Sequence, residues 1–265
     1  MMKWLKRIGI TLGVIYLIIC GLLYFQQEAL IFHPHQKTAN HSYGDYPEEW
    51  VTMPDGVRLH ALHLQKENPR GVILYLHGNV GDNGRSLYQT RAIQSLGFDL
   101  YLVDYRGFGK SEGAIGGEAN MTDDLQVVYE RLKQDYAEKD IILVGYSLGS
   151  GPASFLAANN DPRAVVLVAP YTSLTAMKNQ FFWMFPDFLM KYGLNNRKHL
   201  AASSAPVYLL HGTDDELIPV AMSEELEALA ADRIKLVEMP NIGHRGAILN
   251  SMFGEVVKLA GRVGE

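Results

Sequence analysis

The chain has almost no cysteine. Its 265 residues include one, Cys20, inside an apolar N-terminal stretch. No intrachain disulfide can form. A cysteine nucleophile and a cysteine-ligated zinc site are excluded from everything beyond that stretch. Clusters of Lys and Arg are missing too. With 24 Lys+Arg against 29 Asp+Glu, the formal charge is −5, and no basic surface is offered to nucleic acid. Metal-ligand spacings such as H-E-x-x-H do not occur. Two phosphate-loop patterns fail. Gly109-Lys110-Ser111 ends like a Walker A loop, but its first glycine would fall where Asp104 stands. The close glycines at 107–109 and 149–151 do not extend to G-x-G-x-x-G. No metal and no cofactor are expected. Repeats and low-complexity tracts are also lacking. Hydrophobic residues at 48% and charged residues at 20% exclude extensive disorder.

One long apolar run is present, over residues 8–25. Its 18 residues carry no charge and follow Lys3, Lys6 and Arg7. That length is at the lower end for a helix crossing a bilayer. A cleavable signal would need small residues at an A-x-A-like site. Leu22-Leu23-Tyr24-Phe25-Gln26-Gln27 supplies none. The expectation is a retained anchor over residues 1–25 with a cytoplasmic N-terminus, because positive flanks stay inside. The rest of the chain would then lie on the non-cytoplasmic side. Residues 26–47, with His33-Pro34-His35 and Gly44, read as a connecting segment. Residues 48–265 are long enough for one domain.

Within that domain, two strands flank Pro54-Asp55-Gly56, a turn signal. Strands and helices then alternate. Continuous apolar runs at 72–76, 141–144, 165–168 and 207–210 read as strands buried on both faces. Further strands are expected at 98–103 and 234–237. Helical periodicity marks 86–96, 121–136 and 246–259. The implied fold class is α/β, a mostly parallel central sheet with helices on both faces.

Gly145-Tyr146-Ser147-Leu148-Gly149 fits G-x-S-x-G. The pattern is weak alone, but it directly follows a buried strand and precedes a helix, the setting of a nucleophile elbow. Ser147 would sit at a helix N-terminus, where free N–H groups favour an anion. A serine hydroxyl needs a base. Of nine histidines, His244 alone lies in a loop between the last strand and the last helix. His77 and His211 precede glycines at strand ends and read as loop-shaping residues. The base needs a carboxylate to fix its tautomer. Asp214, Asp215 and Glu216 follow the strand at 207–210, and one of them is expected to cap a helix beginning near Pro219.

Five motifs in this order resemble the α/β-hydrolases: His77-Gly78-Asn79, Asp104 to Ser111 (DYRGFGKS), the elbow continuing to Ser150-Gly151, His211 to Pro219, and Gly243-His244. The chain is similar to membrane-anchored members related to depalmitoylating and lysophospholipid-cleaving hydrolases, and to the serine aminopeptidase-like group. The resemblance implies that Asp215 is the triad acid. It also implies that the backbone N–H groups of Asn79 and Leu148 form an oxyanion hole. The expected activity is hydrolysis of a carboxylic ester or thioester, with a small-molecule or lipid acyl substrate. A peptidase using the same triad and a non-catalytic binding protein on the same fold are the alternatives. Residues 172–200 interrupt the alternation with Phe181-Phe182-Trp183-Met184-Phe185, then Phe188, Leu189 and Tyr192. They are expected to form a short cap over Ser147 and to shape an apolar pocket.

Overall fold

A computed structural model describes residues 2–264. The N-terminal helix α1 runs Met2–Ile31. It continues past the boundary expected at residue 25, because Gln26, Gln27, Glu28, Ala29 and Leu30 all tolerate helix and the first proline stands at Pro34. Only Cys20 and Gln27 of this helix are buried. By length and composition it can cross a membrane. The expected connecting segment also packs on the domain. Strand β1 (His33–Pro34) pairs in parallel with β5 (Val80–Gly81), and Phe32 and Tyr43 are buried.

The central sheet is built from β2 (Glu48–Thr52), β3 (Arg58–Leu64), β4 (Val72–Leu76), β6 (Asp99–Val103), β7 (Ile141–Tyr146), β8 (Ala164–Val168), β9 (Val207–Gly212) and β10 (Ile234–Met239). Their spatial order is β10-β9-β8-β7-β4-β6-β3-β2. Pairing is parallel from β10 to β6, and antiparallel for β6–β3 and β3–β2. Every residue of β4, β6, β7 and β8 is buried, as the unbroken apolar runs require. Alternate residues face opposite cores. Leu74, Leu143 and Leu167 meet α3 (Glu118–Leu132) and α4 (Ser150–Asn159) in one cluster. Tyr75, Val144 and Val166 meet α9 (Ser251–Ala260) in the other.

Four local expectations change. Helix α2 covers Asn83–Gln89, starting early because the Asp82 carboxylate accepts from the N–H groups of Gly84 and Arg85. Helix 246–259 divides into α8 (His244–Ala247) and α9, with Asn250 capping the N–H of Met252. Helix α7 (Ala221–Glu227) has no side-chain cap. None of Asp214, Asp215 and Glu216 caps it, and Asp215 accepts instead from the N–H groups of Leu217 and Ile218. Residues 172–200 divide in two. Helix α5 (Leu174–Phe181) begins on a Ser173 cap. By Tyr192 the chain is back in the body, with Tyr192, Leu194 and Leu200 fully buried. Helix α6 (Asn196–Ala202) is tied down by Asn196, whose Nδ2 donates to the Tyr171 carbonyl (2.7 Å) and to Ser150 Oγ (2.9 Å).

Candidate active site

Ser147 occupies the turn between β7 and α4 with φ at +51°. A non-glycine residue in this left-handed region is strained. The surroundings impose the turn. A Cβ on Gly149 would lie 2.0 Å from the Leu76 carbonyl oxygen, and one on Gly145 would lie 2.5 Å from that of Gly149. Only glycine permits such approaches, so the turn closes tightly against the end of β4 and lifts Ser147 out of the sheet.

The parallel sheet brings the ends of β7, β9 and β10 together. His244 follows β10, and its Nε2 lies 3.0 Å from Ser147 Oγ. Its Nδ1 lies 2.7 Å from Asp215 Oδ2. The His244 ring also stacks on Tyr146, with centroids 5.5 Å apart. Ser147, His244 and Asp215 thus form one continuous hydrogen-bonded row. Burial pushes the Asp215 carboxyl up, but hydrogen bonds from His211, His244 and the Ile218 N–H outweigh it and hold the group well below the usual carboxylate range. Asp214 and Glu216 are exposed. Asp214 Oδ1 accepts from its neighbour Thr213 (3.0 Å).

The two other expected residues, Asn79 and Leu148, line the same cavity as Ser147. The loop carrying Asn79 is held from two sides. Tyr105 OH donates to the His77 carbonyl (2.7 Å), and His33 N–H donates to the Asn79 carbonyl (2.8 Å). His77 itself is buried. Desolvation lowers it to about 4, so it is neutral at physiological pH, with Nδ1 2.7 Å from the Gly78 carbonyl. His211 is likewise internal, between Ser223 Oγ (2.7 Å) and the Ile218 carbonyl (2.8 Å). Both histidines shape loops, as read from the sequence. Among the described residues, no group of three or more His, Cys, Asp or Glu is arranged to hold a metal.

The cavity measures about 240 Å³. Leu174, Met177, Phe181, Phe182 and Phe185 of the cap line it, and Lys178 is the one charged residue among its described lining residues. Lys178 is occupied elsewhere, since its Nζ donates to the Phe185 carbonyl and to Asp187 Oδ1, both at 2.5 Å. It ties α5 to the returning cap chain. One wall was missed from the sequence. Leu23, Gln27, Leu30 and Ile31 of α1 line the cavity. They stand at i, i+4, i+7 and i+8, one face of a helix, a periodicity that runs on past the apolar stretch.

Strand order and the strand–turn–helix at Ser147 are those of a hydrolase-type fold. The family model described as "Serine aminopeptidase, S33" matches residues 67–197. A lysophosphatidylserine lipase ABHD12 of Danio rerio is 30% identical over 75% of this chain, and the match spans 61% of that relative's length. The protein YfhR of Salmonella typhi is 28% identical over 90% of this chain and 89% of its own. Among solved structures, the esterase Pf2001 of Pyrococcus furiosus superposes with a TM-score of 0.70 at 20% identity, covering 87% of this chain and 96% of that one. The chain has the α/β-hydrolase fold, and its sequence is similar to members of that superfamily.

Proposed function

We propose that the protein hydrolyses a carboxylic ester or thioester through an acyl-enzyme on Ser147. The carrying observation is that His244 lies within hydrogen-bond reach of both Ser147 Oγ and Asp215 Oδ2, beside an apolar cavity. Ser147 Oγ attacks the substrate carbonyl while His244 Nε2 takes its proton. The tetrahedral oxyanion is held by the N–H groups of Asn79 and Leu148, each worth about 3–4 kcal/mol in the transition state. Collapse breaks the bond to the leaving group, which receives the proton from His244. Water then attacks the acyl carbonyl, the bond from the acyl carbon to Ser147 Oγ breaks, and the proton taken from water by His244 passes to Oγ, releasing the carboxylic acid. Asp215 keeps Nδ1 protonated throughout.

The substrate's acyl part is a lipid-like chain. The apolar lining favours it, and the relative from Danio rerio is named a lysophosphatidylserine lipase, which makes lysophospholipid esters the first class to assay. An aminopeptidase would need a carboxylate to grip a free amine, and none occurs among the described lining residues. Helix α1 anchors residues 1–25 in a membrane with the N-terminus cytoplasmic, and residues 48–265 form the hydrolase domain on the far side. A fluorophosphonate probe should label the wild type and not Ser147→Ala. A clean wild-type preparation that neither labels nor cleaves any member of an ester and thioester panel would overturn the reading.

A further inference from the structure

The anchor helix does more than end beside the catalytic domain. Thirty residues of helix measure about 45 Å, whereas the hydrocarbon core of a bilayer is about 30 Å thick, or ~20 residues. Counting from Ile8, just after Lys6 and Arg7, places the far interface near Gln27. There the helix is fastened to the cap. Gln27 Nε2 donates to the Leu189 carbonyl (2.8 Å), the Lys191 N–H donates to Gln27 Oε1 (2.8 Å), and Tyr192 OH donates to Glu28 Oε1 (2.6 Å). Lys191 Nζ also stands 4.3 Å from the centre of the Tyr24 ring. Eleven residues earlier, roughly 16 Å back along the helix, Tyr16 OH donates to the Met184 carbonyl (2.7 Å). The cap therefore lies along α1 from the interface to a depth that belongs to the hydrocarbon. Its outer side chains are mostly apolar, apart from Asp187, which is paired with Lys178. Trp183 is 73% exposed and Phe188 84%, and Phe181, Phe182 and Met184 are exposed beside them. In water this would be a costly apolar patch. In a bilayer it is ordinary.

A second cavity, also about 240 Å³, is lined by Tyr16, Ile19, Cys20 and Leu23 of α1 and by residues 181–185 of the cap. It shares Leu23, Phe181, Phe182 and Phe185 with the cavity at Ser147. The two cavities adjoin at these four side chains, along the apolar seam between helix and cap. We propose that a membrane-resident acyl chain reaches Ser147 sideways from the bilayer through this seam, and that Leu23 of the anchor helix determines chain-length specificity. The polar headgroup would stay at the interface, near Gln27 and Lys191. This inference rests on the reading of Ser147 as the acyl-accepting nucleophile.

Filling the seam tests it. Leu23→Trp adds bulk at the junction of the two cavities while keeping the helix apolar. Leu22→Trp, at a position 60% exposed, adds the same bulk outside. Full-length proteins in phosphatidylcholine vesicles would be assayed on a long-chain lysophospholipid in the bilayer and on water-soluble p-nitrophenyl acetate. Leu23→Trp should lower the long-chain to acetate ratio of kcat/KM about tenfold or more, with Leu22→Trp unchanged on both substrates. An unaltered long-chain to acetate ratio in Leu23→Trp would overturn the seam. Failure of the wild type on both substrates and on the fluorophosphonate would instead overturn the hydrolase reading. Should Leu23→Trp lose acetate turnover as well, the wild type decides. A fluorophosphonate bearing a diazirine along its alkyl chain, once bonded to Ser147 in vesicles, should crosslink to residues 16–31 and to 181–185. Crosslinks confined to other segments refute lateral entry.

Discussion

Replacing Asp215 by Asn should disable the site through a tautomer. The carboxylate divides its oxygens. Oδ1 accepts from the N–H groups of Leu217 (2.9 Å) and Ile218 (2.8 Å), while Oδ2 faces His244 Nδ1 at 2.7 Å. An Asn amide has one acceptor oxygen. Turning that oxygen to His244 would point the NH₂ group at two backbone donors and forfeit both hydrogen bonds, at about 1–3 kcal/mol each. The amide therefore keeps its oxygen on the loop and presents NH₂ to His244. The ring must then accept at Nδ1 and carry its proton on Nε2, facing Ser147, where no proton can be taken. Mis-set tautomers of this kind cost about three to four decades in kcat, which is about 4–5 kcal/mol of transition-state stabilisation. Asp214→Asn, at an exposed side chain that accepts from Thr213, should change kcat by less than about threefold. Steady-state hydrolysis of p-nitrophenyl acetate near pH 8 reads both. Comparable losses in the two variants, or a greater loss in Asp214→Asn, would refute the assignment. Linkage adds a second signature. The Asp215 carboxyl is depressed in the folded state, so its charge adds stability at pH values above about 4, the unfolded range. The stability lead of the wild type over Asp215→Asn should shrink as pH falls below that value.

Three further outcomes are expected. Ser147→Gly and Ser147→Ala should both be inactive, but glycine relieves the positive φ, so it should be more stable than alanine by about 1 kcal/mol, or about 2–4 °C in Tm; equal melting would argue against strain at the turn. Phe182→Ala, in the wall of the serine cavity, should lower the octanoate to acetate ratio of kcat/KM, whereas Phe188→Ala, in the wall of neither cavity, should leave the ratio alone; the opposite pattern would remove Phe182 from acyl recognition. Protease added to intact spheroplasts should digest the hydrolase domain, given Lys3, Lys6 and Arg7 at the N-terminus; protection until lysis would reverse the topology.

Much of this protein is written locally. The unbroken apolar runs that become β4, β7, β8 and β9 declare strands covered on both faces, because burial and periodicity are properties of neighbouring residues. Ser147 is legible for the same reason, since a glycine-flanked serine between a buried strand and a helix is a local pattern. Chain order and loop position also picked His244 out of nine histidines. The acid was different. Asp214, Asp215 and Glu216 are adjacent and chemically alike, and sequence left them equivalent until a resemblance chose Asp215. Only the folded loop separates them, burying one carboxylate at 2.7 Å from His244 and leaving its neighbours in water. The division of 172–200 was equally hidden. Its aromatic residues announce burial but not the surface they bury against, so the return of Tyr192 to the body and the exposure of Trp183 needed partners distant in the chain. The reach of α1 shows the limit most plainly. Its one-sided spacing at Leu23, Gln27, Leu30 and Ile31 could be read along the chain, but that face acquires meaning only when residues 184–192 fold back onto it, and only tertiary structure fixes contacts across some 160 residues of sequence.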